Sequence, residues 1–368
     1  MRTPTAARLA RLRAEMAAAD LHAVVVSSEA AIRHLAGFVL GRGERATAGW
    51  SGTLLITAEE ALICADSRYV EQAEAQATGY TVVAAGQRRM HELLPELLVA
   101  REALHVGLEA AAISHADASR IAETAPGLEL RHADALLSEL RIVKEPDEVA
   151  AIERACALGD AAFDHLLGWI EPGMTEAQVA WELEAWLRTN GAEALAFEPL
   201  VLAGPRAAMP HGRPSDATVE AGNVLLLDFG AQVDGYRSDM TRTLFVGEVS
   251  DEVRGIHQLV REAQARALEV AAVGVSGTDV DAAAREVIGQ AGYGEAFGHG
   301  LGHGIGLDTH EDPFLVRYAE PLRAGMVFSV EPGVYLPGVT GIRIEDLVVL
   351  TDQGPRLLTS SPREPIVL

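Results

Sequence analysis

One stretch of this chain, Gly298 to Glu311, concentrates residues that do chemistry: GHGLGHGIGLDTHE. Three histidines, His299, His303 and His310, share it with five glycines. Neutral imidazole is the commonest metal ligand and proton carrier at physiological pH. Glycine lets the backbone take positive φ and come close to a bound group. The stretch reads as a metal or catalytic loop held between rigid elements. A glycine-rich turn with surface histidines is the alternative. Four carboxylates in the C-terminal half have the placement such a loop needs: Asp228, Asp239, Glu331 and Glu345.

Asp234 and Gly235 form a two-residue hairpin turn between the apolar run Asn223 to Phe229 and the run Tyr236 to Phe245. That turn sets position 228 opposite 241 and makes Asp228 and Asp239 diagonal neighbours, roughly 7–8 Å apart at the backbone. Two acids facing one way in an apolar context require a cation; a solvated polar face is the competing explanation. Glu331 and Glu345 flank PGVYLPGVTG, and folding back about Gly338 brings them side by side. Arg343 lies two residues before Glu345 on the same strand face. It either orients a ligating carboxylate from behind or makes a plain surface ion pair. Tyr236 and Thr241 flank Asp239 as supporting donors or as ordinary sheet residues.

One imidazole and four carboxylates form a hard, oxygen-rich set that suits Mn²⁺, Co²⁺ or Mg²⁺ and accepts Zn²⁺. Four negative charges match two divalent cations with room for a bridging hydroxide. Two metals about 3.5–4 Å apart bind a carbonyl oxygen and generate a nucleophile at neutral pH.

Two kinds of layer must position these groups. In the N-terminal part, strands at 21–27, 53–56, 61–65, 81–85 and 105–108 alternate with helices at 30–35, 67–77, 91–100 and 114–122. Such alternation predicts an α/β domain, and no G-x-G-x-x-G opens a helix after a strand. SELRIVK (138–144) reads as the connection, and the domain boundary falls at 136/137. Pro146 opens a long helix, Thr175 and Gln178 form a capping box for the next, and helices follow at 251–272 and 277–291. With strands at 326–330 and 342–350, residues 137–368 read as α+β.

Bulk composition narrows the partners. The net charge of −23 opposes phosphate backbones, so no nucleic-acid partner is expected. No apolar run approaches the about 18 residues of a membrane span. Cys64 and Cys156 lie in apolar runs without metal or redox spacing, as in a reducing compartment, and a cytoplasmic location is expected.

The motifs LLLDFGAQVDGYRSDMTRT, GHGIGLDTHE, VFSVEPGVY and GIRIED resemble those of the pita-bread metallopeptidases, the family of methionine aminopeptidase, aminopeptidase P and prolidase. AVVVSSEAAIRHLAGF resembles the creatinase/prolidase N-terminal domain, which methionine aminopeptidase lacks. With PHG at 210–212, this places the resemblance on the proline-specific branch. It implies an α/β N-terminal domain (1–136) and an α+β pita-bread catalytic domain (137–368). It also implies two divalent ions, with Mn²⁺ first, on Asp228, Asp239, His303, Glu331 and Glu345. His303 is the ligand because it begins the GHGIGL segment, and His299 becomes a loop or supporting residue. A homodimer is likewise implied. Creatinase shares the fold without these ligands, which are all present here, and a non-catalytic pita-bread binding module, which would need them lost, is the distant alternative.

The resemblance further implies hydrolysis of Xaa-Pro bonds. Glu331 shuttles the proton of the metal-activated water to the departing proline nitrogen, His310 hydrogen-bonds the oxyanion, and His211 contacts substrate from the opposite wall. A dipeptidase must hold a free carboxylate, for which arginine is the natural tool. Prolidases often carry one four residues after the histidine matching His310. Here that position is Phe314, and the nearest following arginine is Arg317. Arg42 or Arg45 in the GRGER segment is the expected substitute. A dipeptidase is the leading reading, and an aminopeptidase P acting on longer peptides is the other.

Overall fold

Ala23–Val26 is buried at every residue, and its two faces enter different cores. Val24 and Val26 pack with Leu12, Met16 and Leu35. Ala23 and Val25 pack with Leu94 and Leu98. A strand apolar on both faces needs helices on both sides of its sheet. The computed structural model describes residues 6–41 and 49–368; Arg42 and Arg45 lie outside the described residues. Its first unit, 1–141, has a mixed six-stranded sheet. In spatial order the strands are Thr81–Ala84, Ala61–Ala65, Leu54–Thr57, Ala23–Val26, His105–Leu108 and Glu129–His132. The α/β expectation holds for this unit.

Two elements escaped the sequence reading. Glu129–His132 is a polar edge strand, with little burial pattern to announce it. Asp134–Ile142 is a helix where a connection was expected from 138. Leu137 and Leu140, three residues apart, put an apolar stripe into the first core. The division between units therefore falls after Arg141 and not at 136/137.

The second unit, 142–368, is α+β as expected. Its first helix, Pro146–Leu167, starts on proline. Its second, Glu176–Thr189, has the anticipated reciprocal cap: Gln178 N donates to Thr175 Oγ1 at 3.1 Å, and Thr175 N donates to Gln178 Oε1 at 2.8 Å. Asp251–Val270 and Gly277–Gln290 form a second helix pair. Each pair precedes an antiparallel hairpin in sequence, and those hairpins carry the acids.

Helix Asp251–Val270 buries His257 to 1% exposure against the Phe245 ring, with Nδ1 unpartnered. Burial, then Arg261 and Arg242, push its pKa down to about 4. The unfolded chain takes up this proton near pH 6.5, whereas the folded chain refuses it. The stability present above about pH 6.5 is therefore lost as pH falls toward 4. The variant His257→Leu should lose less melting temperature than wild type between pH 7 and pH 4.5. Parallel melting curves for the two proteins would contradict this.

Candidate metal centre

The first hairpin pairs Val224–Phe229 with Met240–Phe245, and Asp228 stands opposite Thr241. Asp234 and Gly235 have φ of 50° and 83°, the positive values a type I′ turn demands. The turn thus sets the register expected, with Asp239 on the diagonal of Asp228. Beyond Phe229 the ladder breaks at Gly230. A Cβ there would lie 1.8 Å from the Ser238 carbonyl oxygen, so only glycine permits this approach.

The second hairpin repeats the device. Val330 pairs with Asp346, and Gly333 pairs with Arg343. In that shared register Glu331 faces Glu345, at the gap between the two ladders. The single strand expected over 342–350 is therefore two, Thr340–Arg343 and Asp346–Thr351. In the gap, Glu345 N turns to the other hairpin and donates to Thr241 O at 3.1 Å.

His303 is brought in by backbone. Its N–H donates to Ser329 Oγ at 3.0 Å, and Ser329 N donates to the His303 carbonyl at 2.8 Å. A Cβ on Gly302 would lie 1.9 Å from Ser329 O, so the loop can lie this close only because glycine precedes the histidine. Nδ1 lies 3.0 Å from Gly304 O, which makes it the protonated nitrogen. Nε2 then presents its lone pair 3.3 Å from Glu331 Oε1 and 3.9 Å from Asp239 Oδ2. Asp239, His303 and Glu345 each offer a ligand atom, all within 4.8 Å of one another.

These donors fit divalent cations on a physical ground. Asp228 Oδ1, Asp239 Oδ1 and Glu345 Oε1 are buried and make no hydrogen bond. A buried carboxylate oxygen without a partner is costly. Burial, then Glu345, Asp228 and Glu331, push the Asp239 carboxyl well above its usual range. Burial and the same crowding raise Glu345 and Glu331. Burial lowers His303, keeping the imidazole neutral as a ligand must be. A cation removes all of these penalties at once.

Arg343 is 3% exposed, which excludes a surface ion pair. Its Nη2 pairs with Asp228 Oδ2. Its Nε donates to Thr241 Oγ1 at 2.9 Å, and Thr241 donates to Glu345 Oε2 at 2.7 Å. Arg343 therefore holds one carboxylate directly and another through Thr241. Tyr236 does not join them: its hydroxyl donates to Glu148 Oε1 at 2.7 Å, and its ring packs beside the Ile152 and Cys156 cluster. Its offsets in position from Asp239 and Thr241 are both odd, so strand alternation sends it to the other face.

The donors floor a cavity of about 430 Å³. His211 and His310 both line it. The His310 ring is 4.2 Å from that of His303, and burial, then His303 and His211, lower its pKa to about 4. His299 also lines the cavity, but its nitrogens are committed, Nδ1 to Gly300 O at 2.8 Å and Nε2 to Tyr335 OH at 2.9 Å. Tyr335 accepts from Arg343 Nη1 at 2.8 Å. Neither Tyr335 nor Ser329, which donates to Glu331 Oε1 at 3.0 Å, was singled out from sequence. For Ser329 the signal was a lone hydroxyl in an apolar strand, two residues before Glu331. Much of the remaining wall is apolar, from Phe197, Leu200, Phe314 and Val316, with Glu198 and Thr309 also lining it. The Arg317 guanidinium stacks 4.2 Å over the Phe314 ring.

Residues 150–352 match the model of metallopeptidase family M24, and residues 8–143 match that of the creatinase/prolidase N-terminal domain. The chain is 40% identical to the Xaa-Pro dipeptidase of Pyrococcus furiosus over 64% of its own length and 68% of the relative's. The solved Xaa-Pro dipeptidase of Bacillus anthracis superposes with a TM-score of 0.91 at 37% identity, covering 98% of this chain and 99% of that one. The X-Pro aminopeptidase of Thermotoga maritima superposes with a TM-score of 0.86 at 37% identity, covering 98% and 100%.

Proposed function

Because this chain belongs to metallopeptidase family M24, we propose that it hydrolyses Xaa-Pro dipeptides with two divalent ions held by Asp228, Asp239, His303, Glu331 and Glu345. The observation that carries the reading is the cavity floor, where unpartnered buried carboxylate oxygens surround a neutral imidazole. Hard donors favour Mn²⁺ as the native ion. When bound, the ions supply a Lewis acid for the scissile carbonyl and acidify the attacking water. Glu331 would take the proton that the attacking water gives up and pass it to the proline nitrogen, which has no hydrogen of its own and leaves as an amine. His310, neutral at physiological pH, donates one N–H to the developing oxyanion. His211 steadies the substrate from the opposite wall, and the apolar wall receives the proline ring.

The similarity to Xaa-Pro dipeptidases supports the dipeptide as substrate. The carboxylate anchor expected of Arg42 or Arg45 stays part of the proposal. A reducing, cytoplasmic location is supported by two free, buried cysteines, with burial pushing Cys64 up to about 12. A homodimer is carried by the family resemblance. Among the described residues no helix is long and apolar enough to cross a membrane.

The test is hydrolysis of Ala-Pro beside Arg-Pro-Pro by protein stripped with EDTA and reloaded with Mn²⁺. The expected result is rapid cleavage of Ala-Pro alone. Cleavage of the tripeptide would make the enzyme an aminopeptidase, and cleavage of neither by loaded protein would remove it from the proline-specific branch.

A further inference from the structure

Glu176 opens helix Glu176–Thr189, and its side chain is fully buried. A carboxylate in that environment needs every lone pair satisfied. Oε1 accepts from Ala203 N at 2.7 Å and from Arg206 Nε at 2.9 Å. Oε2 accepts from Arg206 Nε at 3.0 Å, Ser215 N at 3.0 Å and Ser215 Oγ at 2.8 Å. Ala203 ends the strand Leu200–Ala203, and Ser215 lies beyond His211. One side chain thus grips both ends of the loop 204–214. Arg206 adds a brace inside it, donating from Nη2 to Arg213 O at 2.7 Å. The loop delivers Pro210 and His211 to the cavity wall.

The placement has a physical logic. His211 is exposed and sits in a turn outside any helix or strand, closed by one backbone hydrogen bond from Gly212 N to Met209 O at 3.0 Å. An imidazole that must meet substrate at a fixed distance needs its backbone held from elsewhere, since small misplacements cost large factors in rate. A buried, charged acceptor makes hydrogen bonds about twice as strong as neutral ones. Its position in the first helical turn adds the favourable end of the helix dipole.

We propose that Glu176 is the positioning residue for His211, fixing the loop 204–214 so that the imidazole meets substrate. The proposal rests on the Xaa-Pro reading for His211's partner, but not for the clamp itself. It predicts that Glu176→Gln, which keeps the size and loses the charge, lowers kcat/KM for Ala-Pro about 10- to 100-fold, the range for removing a group that orients a functional one. Bound Mn²⁺ should stay at the wild-type stoichiometry.

The deciding measurement is a double-mutant cycle with His211→Ala. If Glu176 acts through His211, Glu176→Gln should change activity less than about twofold in the His211→Ala background. A full additional loss in the double variant, or wild-type activity in the single one, would overturn the proposal. Should Glu176→Gln fail to fold, Ser215→Ala removes the Oγ contact while leaving the carboxylate and the backbone N–H that donates to it, and the same cycle applies with a smaller loss. A readout independent of turnover separates this from the substrate reading. The His211 imidazole NMR signals, assigned by their absence in His211→Ala, should shift or broaden in Glu176→Gln while those of His257 stay in place. Unmoved His211 signals would overturn the clamp even if wild type cleaves Ala-Pro. Shifted signals in a protein that cleaves no Xaa-Pro substrate would sustain the clamp and reject the substrate.

Discussion

Replacing His303 with alanine is expected to reduce Ala-Pro hydrolysis by about 10³-fold or more and to lower the bound divalent metal. A metal's contribution of several kcal/mol to the barrier corresponds to that factor at 1.36 kcal/mol per decade. The tautomer of His303 leaves one nitrogen open for a metal. Nδ1 is tied to Gly304 O at 3.0 Å, so Nε2 is the unprotonated nitrogen and faces Asp239 and Glu331. His299 cannot take its place, because it spends both nitrogens on Gly300 and Tyr335. The paired control is His299→Ala, which should bind metal normally. Metal content by atomic spectroscopy and thermal melts with and without Mn²⁺ read the difference. Saturating metal is expected to stabilise wild type by about 4 kcal/mol for each site at a thousandfold excess over Kd, and His303→Ala should lose much of that increment. Undiminished metal in His303→Ala, or a loss confined to His299→Ala, would exchange the roles of the two histidines.

Arg343→Met is expected to destabilise the metal-free protein by about 3–5 kcal/mol, the usual cost of breaking a buried pair by removing one partner. Three carboxylates, Asp228, Glu331 and Glu345, act on this guanidinium. Asp228 pairs with it directly and Glu345 is reached through Thr241. Burial opposes the guanidinium's charge, while Tyr335, Asp228, Glu331 and Glu345 favour it. Methionine keeps much of the length but leaves the acids uncompensated. Mn²⁺ should restore a large part of the loss, because cations then supply the missing charge. Urea unfolding of stripped and reloaded protein checks both halves. A stripped variant as stable as stripped wild type would mean that the acids are already protonated and the arginine is dispensable. Arg343→Lys should not rescue fully, since one ammonium cannot reach Asp228, Thr241 and Tyr335 together.

Much of the site was legible because its geometry is locally encoded. A two-residue Asp-Gly turn specifies a register, so the diagonal of Asp228 and Asp239 followed from counting along the chain. Glu331 and Glu345 were legible for the same reason, flanking a hairpin whose two arms match in length. The capping box at Thr175 and the proline at the start of the 146–167 helix are likewise short-range signals. Tyr236 was misjudged although the means were at hand: its odd separation from Asp239 sends it to Glu148.

The chain by itself therefore determined the two-unit division in outline, the α/β and α+β layers, and the facing of the four acids across their hairpins, while the choice of His303 beside them came from the family resemblance. It did so because turns, caps and strand alternation act over a few residues. Tertiary structure decided the rest. Arg343 became a buried brace only when its strand met Thr241 and Asp228, more than a hundred residues earlier. Nothing near Glu176 in the sequence marks it among first-turn acids; Ala203, Arg206 and Ser215 give it its place by converging on it. Helix Asp134–Ile142 resembled a linker until its leucines found a core. In each case the deciding partner is distant in sequence, and burial of a charge or an apolar stripe has meaning only once that partner is in place.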